Sequence, residues 1–413
     1  MTVNTQGRQM LTGTENLSPC PKIDAIDRAP RTIGLYVHFP FCKAKCFYCD
    51  FYSIPYRADL AEAYCRALLC EIKELREENA SSIIGSIYLG GGTPSLMKAE
   101  QVQQLLDLIS TSFPIVPDCE ITLEANPGTV SLETLNSFRA AGINRISLGV
   151  QSFDESELKL LGRIHSRDEV LRSVDNISSA GIRNYGLDLI YGIPGQSLAR
   201  WCLNLKEAVD LSPCHISCYL LQMDEMVPLA VRLSNKEIEG LTEEDEAAMY
   251  YAAIRHLKSA GYHHYEISNF CRPGAASRHN LNYWEAGEYL GIGAGAVSFQ
   301  DGRRYRNIPQ ISQYIQNLLS EHHDPPREVM ETMEGIELGI DAMIMGLRMT
   351  RGVNIQEFAN RFEIDPLTVF QNAISKSCQE GLLEFNAPWL RLTSKGYFLS
   401  NRVFVRILES SPY

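Results

Sequence analysis

Cys42, Cys46 and Cys49 fall within eight residues of one another. Three thiolates so close in sequence can wrap a single soft metal site. Zinc ordinarily takes four ligands, and His38 would be at hand to close such a site. An iron–sulfur cube carries four irons, so three cysteines leave one iron open to a ligand from outside the protein. Asp50 and Phe51 follow the third cysteine, so no neighbouring thiol completes the set. The pattern favours a cluster over zinc.

Other residues of chemical interest are spread along the chain. Gly90-Gly91-Gly92-Thr93 follows an apolar run, and glycines there let backbone groups approach a ligand closely. No Gly-Lys-Ser/Thr follows, so this is not a nucleotide P-loop. Arg163, in Leu160-Leu161-Gly162-Arg163, is a cation suited to a ligand carboxylate. Glu124, Gln151 and Asp188 are polar residues inside apolar strands, and each must find a partner or face a cavity. A ligand with an amino group and ribose hydroxyls would satisfy them, and so would internal hydrogen bonds.

These residues need elements to position them. Six β-rich runs recur, beginning at Gly34, Ser86, Glu120, Arg145, Gly186 and His215. Between them lie segments with helical apolar spacing: 58–78, 99–113, 132–141, 170–180, 198–211 and 243–260. Ser131 and Gly142 supply start and stop signals for the third of these. Serial β-then-α units imply a parallel sheet with right-handed crossovers. Strands buried on both faces would explain why the runs are short and nearly all apolar. The sheet either closes as a partial barrel or stays open and doubly wound. In both cases ligands sit at the carboxyl ends of the strands, where the residues named above cluster.

The chain has 413 residues and a formal net charge of −12. Its 45% apolar and 21% charged content excludes wholesale disorder. The acidic balance argues against a coat for nucleic acid or anionic membrane. No apolar run is long enough to span a bilayer, while peripheral membrane contact stays open. Residues 1–31 read as a flexible leader without a secretory signal, so a reducing, cytoplasmic compartment is expected. Whether that leader addresses an organelle is left open. Residues 32–265 form the α/β core and 266–330 a connecting section rich in Tyr, Asn, Arg and Gly. Residues 331–413 are mostly helical with a short hairpin, an order resembling a winged helix. With eight Lys/Arg and nine Asp/Glu between Met333 and Tyr413, this part carries no basic stripe.

With these residues in place, the sequence resembles the radical SAM superfamily. Cys42-x3-Cys46-x2-Cys49, with Tyr48 before the last cysteine, and Gly91-Gly92-Thr93-Pro94 carry the likeness. Tyr36-Val-His-Phe-Pro-Phe-Cys42, Gly149-Val-Gln-Ser-Phe153, Leu161-Gly-Arg163, Asp188-Leu-Ile-Tyr-Gly-Ile-Pro-Gly-Gln196 and Tyr265-Glu-Ile-Ser-Asn-Phe270 narrow it to the coproporphyrinogen dehydrogenase group. The dehydrogenases themselves resemble Cys-x3-Cys-x2-Cys-x-Cys, whereas Phe51 stands here at the fourth position. Cys49-Asp50-Phe51 and His279-Asn280-x-x-Tyr283-Trp284 resemble the HemW-type heme chaperones instead.

The resemblance implies a partial parallel (β/α)6 barrel holding one 4Fe–4S cluster and S-adenosylmethionine (SAM). It implies binding of heme and its transfer to an acceptor protein. Cys42, Cys46 and Cys49 would hold the cluster. Tyr36, Tyr48, Gly91, Gly92, Thr93, Glu124, Gln151, Arg163, Asp188 and Gln222 would line the SAM site. Arg163 would pair with the carboxylate and Asp188 with ribose hydroxyls. His279 would contact heme iron, with Tyr283 and Trp284 on a porphyrin face. Two segments depart from the pattern. Val297 stands where the family usually shows a histidine, so a heme role for that histidine does not transfer. Met223–Pro228 departs from the usual turn after the sixth strand.

Overall fold

The computed structural model describes residues 31–79, 81–320 and 327–410. The anticipated leader lies outside them except for Arg31, which opens the first strand. Six parallel strands form the centre: β1 (Arg31–Phe39), β2 (Ser82–Gly91), β3 (Ile115–Ala125), β4 (Arg145–Gln151), β5 (Asn184–Tyr191) and β6 (His215–Leu220). Each pairs with the next in chain order. A doubly wound sheet would reverse direction at a switch point. The unbroken order is that of a barrel, left open between β1 and β6.

One expectation is corrected by the faces of these strands. Leu35, Val37, Ile87, Leu89, Leu123, Ile146, Leu148, Leu187, Leu189 and Ile216 are buried in the main apolar core. They share it with Leu68, Ile72, Leu105, Phe138, Val174 and Leu205 of the surrounding helices. The alternate positions are not apolar. They carry Tyr36, Tyr88, Glu124, Ser147, Asp188 and Ser217; Tyr88 bonds Glu124 and both serines bond Asp188 between neighbouring strands, while Tyr36 stacks on Tyr88. The strands therefore alternate between an apolar outer face and a polar lumen, as the two-residue side-chain period requires.

The connecting section is built into the same sheet at both edges. Beside β6 lie β7 (His263–Glu266) and β8 (Asn269–Cys271). Beside β1 lies β9 (Tyr289–Ile292), parallel to it, followed outward by β10 (Val297–Gln300), β11 (Arg303–Asn307) and β12 (Arg327–Thr332). The glycine-rich stretch after β9 has a structural task. The Gly293 amide and the Asn307 side chain donate to the buried carboxylate of Glu71, at 2.8 and 2.6 Å.

The C-terminal part has its own apolar core, including Met343, Leu347, Phe370, Leu382, Leu390 and Val403. Helices Ile336–Leu347, Ile355–Phe362 and Gln371–Gln379 precede the hairpin Leu383–Asn386/Trp389–Leu392, and Ser400–Leu408 closes the chain. It joins the barrel through backbone bonds from Ile267 to Arg348 and from Thr350 to Tyr265. The Arg348 guanidinium also lies 4.5 Å from the centre of the Trp284 ring. No described helix is long and apolar enough to cross a membrane.

Candidate functional site

The cysteine loop follows β1 and is pinned from two sides. The Phe47 amide donates to the Leu161 carbonyl, and the Leu229 amide donates to the Phe47 carbonyl, both at 2.9 Å. The Phe47 ring lies over Gly162, whose φ of 73° ends the helix Glu155–Leu161. A Cβ at Gly162 would fall 2.7 Å from that ring, so glycine is required for both backbone angle and space. Tyr48 packs into a small apolar cluster with Leu161, Ile190, Ile193 and Leu229.

All three thiols are free and partly exposed. Thr93 Oγ1 lies 3.6 Å from Cys42 Sγ, and Arg163 Nη1 lies 3.4 Å from Cys46 Sγ. Burial, with the neighbouring Cys46 and Cys42, pushes the Cys49 thiol up to about 11. A bound cation would reverse that preference by stabilising the thiolate. Among the described residues, no three His, Cys, Asp or Glu groups close round a single ion. His38 does not complete a zinc set either. Its Nδ1 bonds the Tyr36 hydroxyl at 2.9 Å and its Nε2 bonds the Tyr52 carbonyl at 3.1 Å. Three loop thiols with hydrogen-bond donors beside them suit a larger iron–sulfur cluster.

The glycine run does something other than expected. The Gly92 and Thr93 amides donate to the Phe39 and Phe41 carbonyls at 2.8 Å, and Gly91 donates to Glu124 at 3.1 Å. A Cβ at Gly92 would lie 2.7 Å from both the amide nitrogen and the carbonyl oxygen of Phe41. With these amides engaged, the run offers a ligand carbonyl oxygens, which suit an ammonium group.

Arg163 stands at a junction. Its Nη2 donates to the Asn126 side chain and to the Gly149 carbonyl at 2.7 Å, while its buried Nε has no partner. Asn126 in turn donates to Thr93 Oγ1 at 2.9 Å. Arg163, Asn126, Thr93 and Cys46 line an open cleft that also touches Lys43, Ile164 and His165. An unpartnered guanidinium nitrogen beside a cysteine loop fits a ligand carboxylate. Gln151 ends β4 with a φ of 67°, a left-handed angle rare outside glycine and often found at ligand sites.

The lumen below is acidic. Tyr88 donates to Glu124 at 2.8 Å, and Ser147 and Ser217 donate to Asp188 at 2.8 and 2.6 Å. Burial raises both carboxyls, Glu124 to about 7. The folded protein then holds a Glu124 proton that the unfolded chain releases near its ordinary value. Stability from this group is therefore lost as pH rises from about 4.5 to 7. Glu124→Gln is expected to raise the melting temperature of the ligand-free protein at pH 8 while changing little at pH 4.5. Equal shifts at both values would refute the assignment.

The structure brings Tyr36, Tyr48, Gly91, Gly92, Thr93, Glu124, Gln151, Arg163 and Asp188 to the cysteine loop or the lumen beneath it. Gln222 stands exposed in the turn after β6. His279 is elsewhere. It lies in the helix Arg278–Trp284, with Nδ1 bonded to Ser86 at 2.9 Å and Nε2 to Tyr283 at 3.0 Å. It is 2% exposed, and its ring stacks on Tyr88 at 5.1 Å. Both nitrogens are used, so in this arrangement His279 floors the lumen and offers iron nothing. Asn126 lines the cleft, and sequence reasoning set it at a strand end without giving it a role; it left out Tyr88 and Tyr219, which stand on the lumen face of their strands. The polar half of each alternating strand was the signal that could have found the last two.

Residues 36–202 match the radical SAM superfamily and residues 335–399 the HemN C-terminal domain. The heme chaperone HemW of Lactococcus lactis is 34% identical over 373 residues, covering 90% of this chain and 96% of its own length. HemW of Escherichia coli is 39% identical over 280 residues, 66% of this chain and 72% of its own. A bovine mitochondrial protein, radical S-adenosyl methionine domain-containing protein 1, is 31% identical over 91% of this chain and 87% of its own. Among solved structures, E. coli coproporphyrinogen III oxidase, a radical SAM enzyme, superposes with a TM-score of 0.78. It covers 92% of this chain and 90% of its own at 22% identity, which establishes the shared fold. The chain belongs to the HemW family of heme chaperones, built on the radical SAM fold.

Proposed function

We propose that this protein binds heme and passes it to an acceptor protein, on a barrel that holds one 4Fe–4S cluster and SAM. The observation that carries this reading is coverage by named heme chaperones, 34% identical over 96% of one relative's length. Phe51 supports it. An exposed apolar side chain stands where the dehydrogenase pattern places a fourth cysteine. Residues 32–265 would be the cofactor-binding core, 266–330 its two edges, and 331–413 the cover on one side.

Cys42, Cys46 and Cys49 would hold the cluster, leaving one iron for the amino and carboxylate groups of SAM. When reduced, such a cluster supplies an electron that can break a C–S bond of SAM. Arg163, whose Nε has no partner inside the protein, would take the carboxylate, and the carbonyls of Gly91 and Gly92 would take the ammonium. Asp188, already receiving two serine hydroxyls, keeps lone pairs for ribose hydroxyls. Gln151, Tyr36 and Tyr48 would fill the walls.

Arg163→Ala is expected to weaken SAM binding to the reconstituted protein by about tenfold or more, the scale of one charge-assisted pair. Arg163→Lys should recover little, because a lysine cannot reproduce the fork that also holds Asn126 and Gly149. Equilibrium dialysis with labelled SAM reads both. The function itself is tested anaerobically with two assays on the cluster-loaded protein. Heme binding with transfer to an apo-hemoprotein is expected, with no protoporphyrinogen formed from coproporphyrinogen III and SAM. The reverse result overturns the reading.

A further inference from the structure

Cys42 and Cys46 each have a side-chain donor beside the sulfur, and the two donors are joined. Thr93 Oγ1 lies 3.6 Å from Cys42 Sγ, and Arg163 Nη1 lies 3.4 Å from Cys46 Sγ. Between Thr93 and Arg163 stands Asn126, which accepts from Arg163 Nη2 and donates to Thr93 Oγ1 at 2.9 Å. Donor chemistry fixes the direction of this thread. A guanidinium only donates, so it takes the Asn126 side-chain oxygen. The Asn126 side-chain nitrogen also only donates, so Thr93 Oγ1 accepts there and keeps its own hydrogen for Cys42. Thr93 is 2% exposed, which leaves water little access to that hydrogen. Every bond of the thread then points from the Arg163 charge toward the Cys42 sulfur. Asn126 is itself held in place. Its amide donates to Thr129 Oγ1 at 3.2 Å, its carbonyl accepts from Thr129 Oγ1 at 2.6 Å, and Ser95 braces that hydroxyl at 2.6 Å. A Cβ at Gly149 would fall 2.8 Å from Asn126 Oδ1, so the glycine in β4 leaves the side chain its room.

We infer that Asn126 is a positioning residue for the cluster: by orienting Arg163 and Thr93 it keeps one donor on Cys46 and one on Cys42, and so raises the reduction potential. The inference rests on the 4Fe–4S reading above and adds what these residues do to the cluster. Reduction places one more negative charge on the cluster and its thiolates, and hydrogen bonds to sulfur stabilise that charge. Aligned bonds polarise one another, so the last bond of the thread gains from those behind it. A formal charge at its head, on Arg163, strengthens it further.

The test is a redox titration, followed by electron paramagnetic resonance, of the full chain with its cluster reconstituted and no SAM added. Asn126→Ala is expected to lower the reduced-to-oxidised ratio at a fixed potential by about tenfold, which is about 59 mV for one electron. Thr93→Val should also lower the potential, and Thr93→Ser, which keeps the hydroxyl, should restore it. Asn126→Asp is the sharper variant. Its carboxylate still takes Arg163, but it also accepts the Thr93 hydrogen and turns that bond away from Cys42. The potential should fall, and adding Thr93→Val in this background should change nothing, because the hydroxyl no longer serves the sulfur. Iron and sulfide equal to the wild type show an intact cluster. If the alanine variant takes up no cluster, Asn126→Asp with and without Thr93→Val decides alone. Wild-type potentials in Asn126→Asp and Thr93→Val would overturn the inference. So would a full Thr93→Val shift in the Asn126→Asp background, or a Thr93→Ser potential as low as that of Thr93→Val. A wild type without iron and sulfide would instead sink the cluster reading itself.

Discussion

Reconstituted anaerobically with iron and sulfide, the Cys46→Ser protein is expected to hold no 4Fe–4S cluster. A serine hydroxyl at neutral pH is not the soft anion that iron requires. The loop supplies three thiols and no spare, since Phe51 occupies the position where a fourth would lie. SAM binding should fall with the cluster, because the open iron would be one of its anchors. His38→Ala is the informative companion. A cluster needs nothing from His38, whose nitrogens are held by Tyr36 and Tyr52, so this variant should retain iron and sulfide. Zinc without sulfide in the wild type, and its loss in His38→Ala, would overturn the cluster assignment. Metal and sulfide analysis with visible absorption reads every case.

Removing Glu120 is expected to cost more stability than any other single change considered. Its carboxylate accepts the amides of Arg278 and His279 at 3.1 and 3.2 Å and the Ser277 hydroxyl at 3.4 Å. These groups begin the helix that floors the lumen. Arg145 Nε lies 3.9 Å away, and the two side chains are only 2% and 6% exposed. Glu120→Ala leaves a buried guanidinium without its nearest counter-charge, and breaking such a pair costs up to about 3–5 kcal/mol. Each buried donor left unpaired adds about 1–3 kcal/mol. The sum is comparable to the stability of a typical domain, about 5–15 kcal/mol. The melting temperature should fall by roughly 10 °C or more, or the protein should fail to accumulate folded. Glu120→Gln keeps some acceptor capacity and should lie between. Glu120→Ala with Arg145→Met should recover part of the loss, since the stranded charge goes too. A single alanine variant as stable as the wild type would mean that the floor is held by other contacts.

That second prediction concerns a motif whose purpose changed. His279-Asn280-x-x-Tyr283-Trp284 invites a ligand reading because imidazole binds iron. In the fold His279 and Tyr283 close the floor of the barrel, while the Trp284 ring lies against Arg348 of the C-terminal part. Ser86 and His279 are 193 positions apart in the chain yet bond side chain to side chain. The pairing of β9 with β1 brings that helix under the sheet. Nothing local to residues 278–284 encodes such a distant pairing.

The sequence by itself determined the local elements and the identity of the cysteine loop. The helix predicted over 58–78 forms over Ala58–Glu78, because its apolar residues recur at the helical period. Ser131 caps its helix by accepting from the Thr134 amide, and Gly142 follows that helix with a φ of 113°. The strands were expected to be apolar on both faces, although Arg145 and Ser147 alternating with Ile146 and Leu148 carried the signal of a lumen. That alternation is a property of one strand and needs no partner.

Tertiary structure alone decided which partner each polar group found. The Gly92 amide turned to the β1 backbone and the Gly91 amide to Glu124, His38 to Tyr36 and Tyr52, and His279 to Ser86 and Tyr283. Arg163 kept one nitrogen unpaired beside the cysteine loop. A polar residue satisfied inside the protein and one left open to a ligand look alike in sequence. They differ only in what the fold places within hydrogen-bond reach, because a buried polar group takes the nearest partner that burial allows.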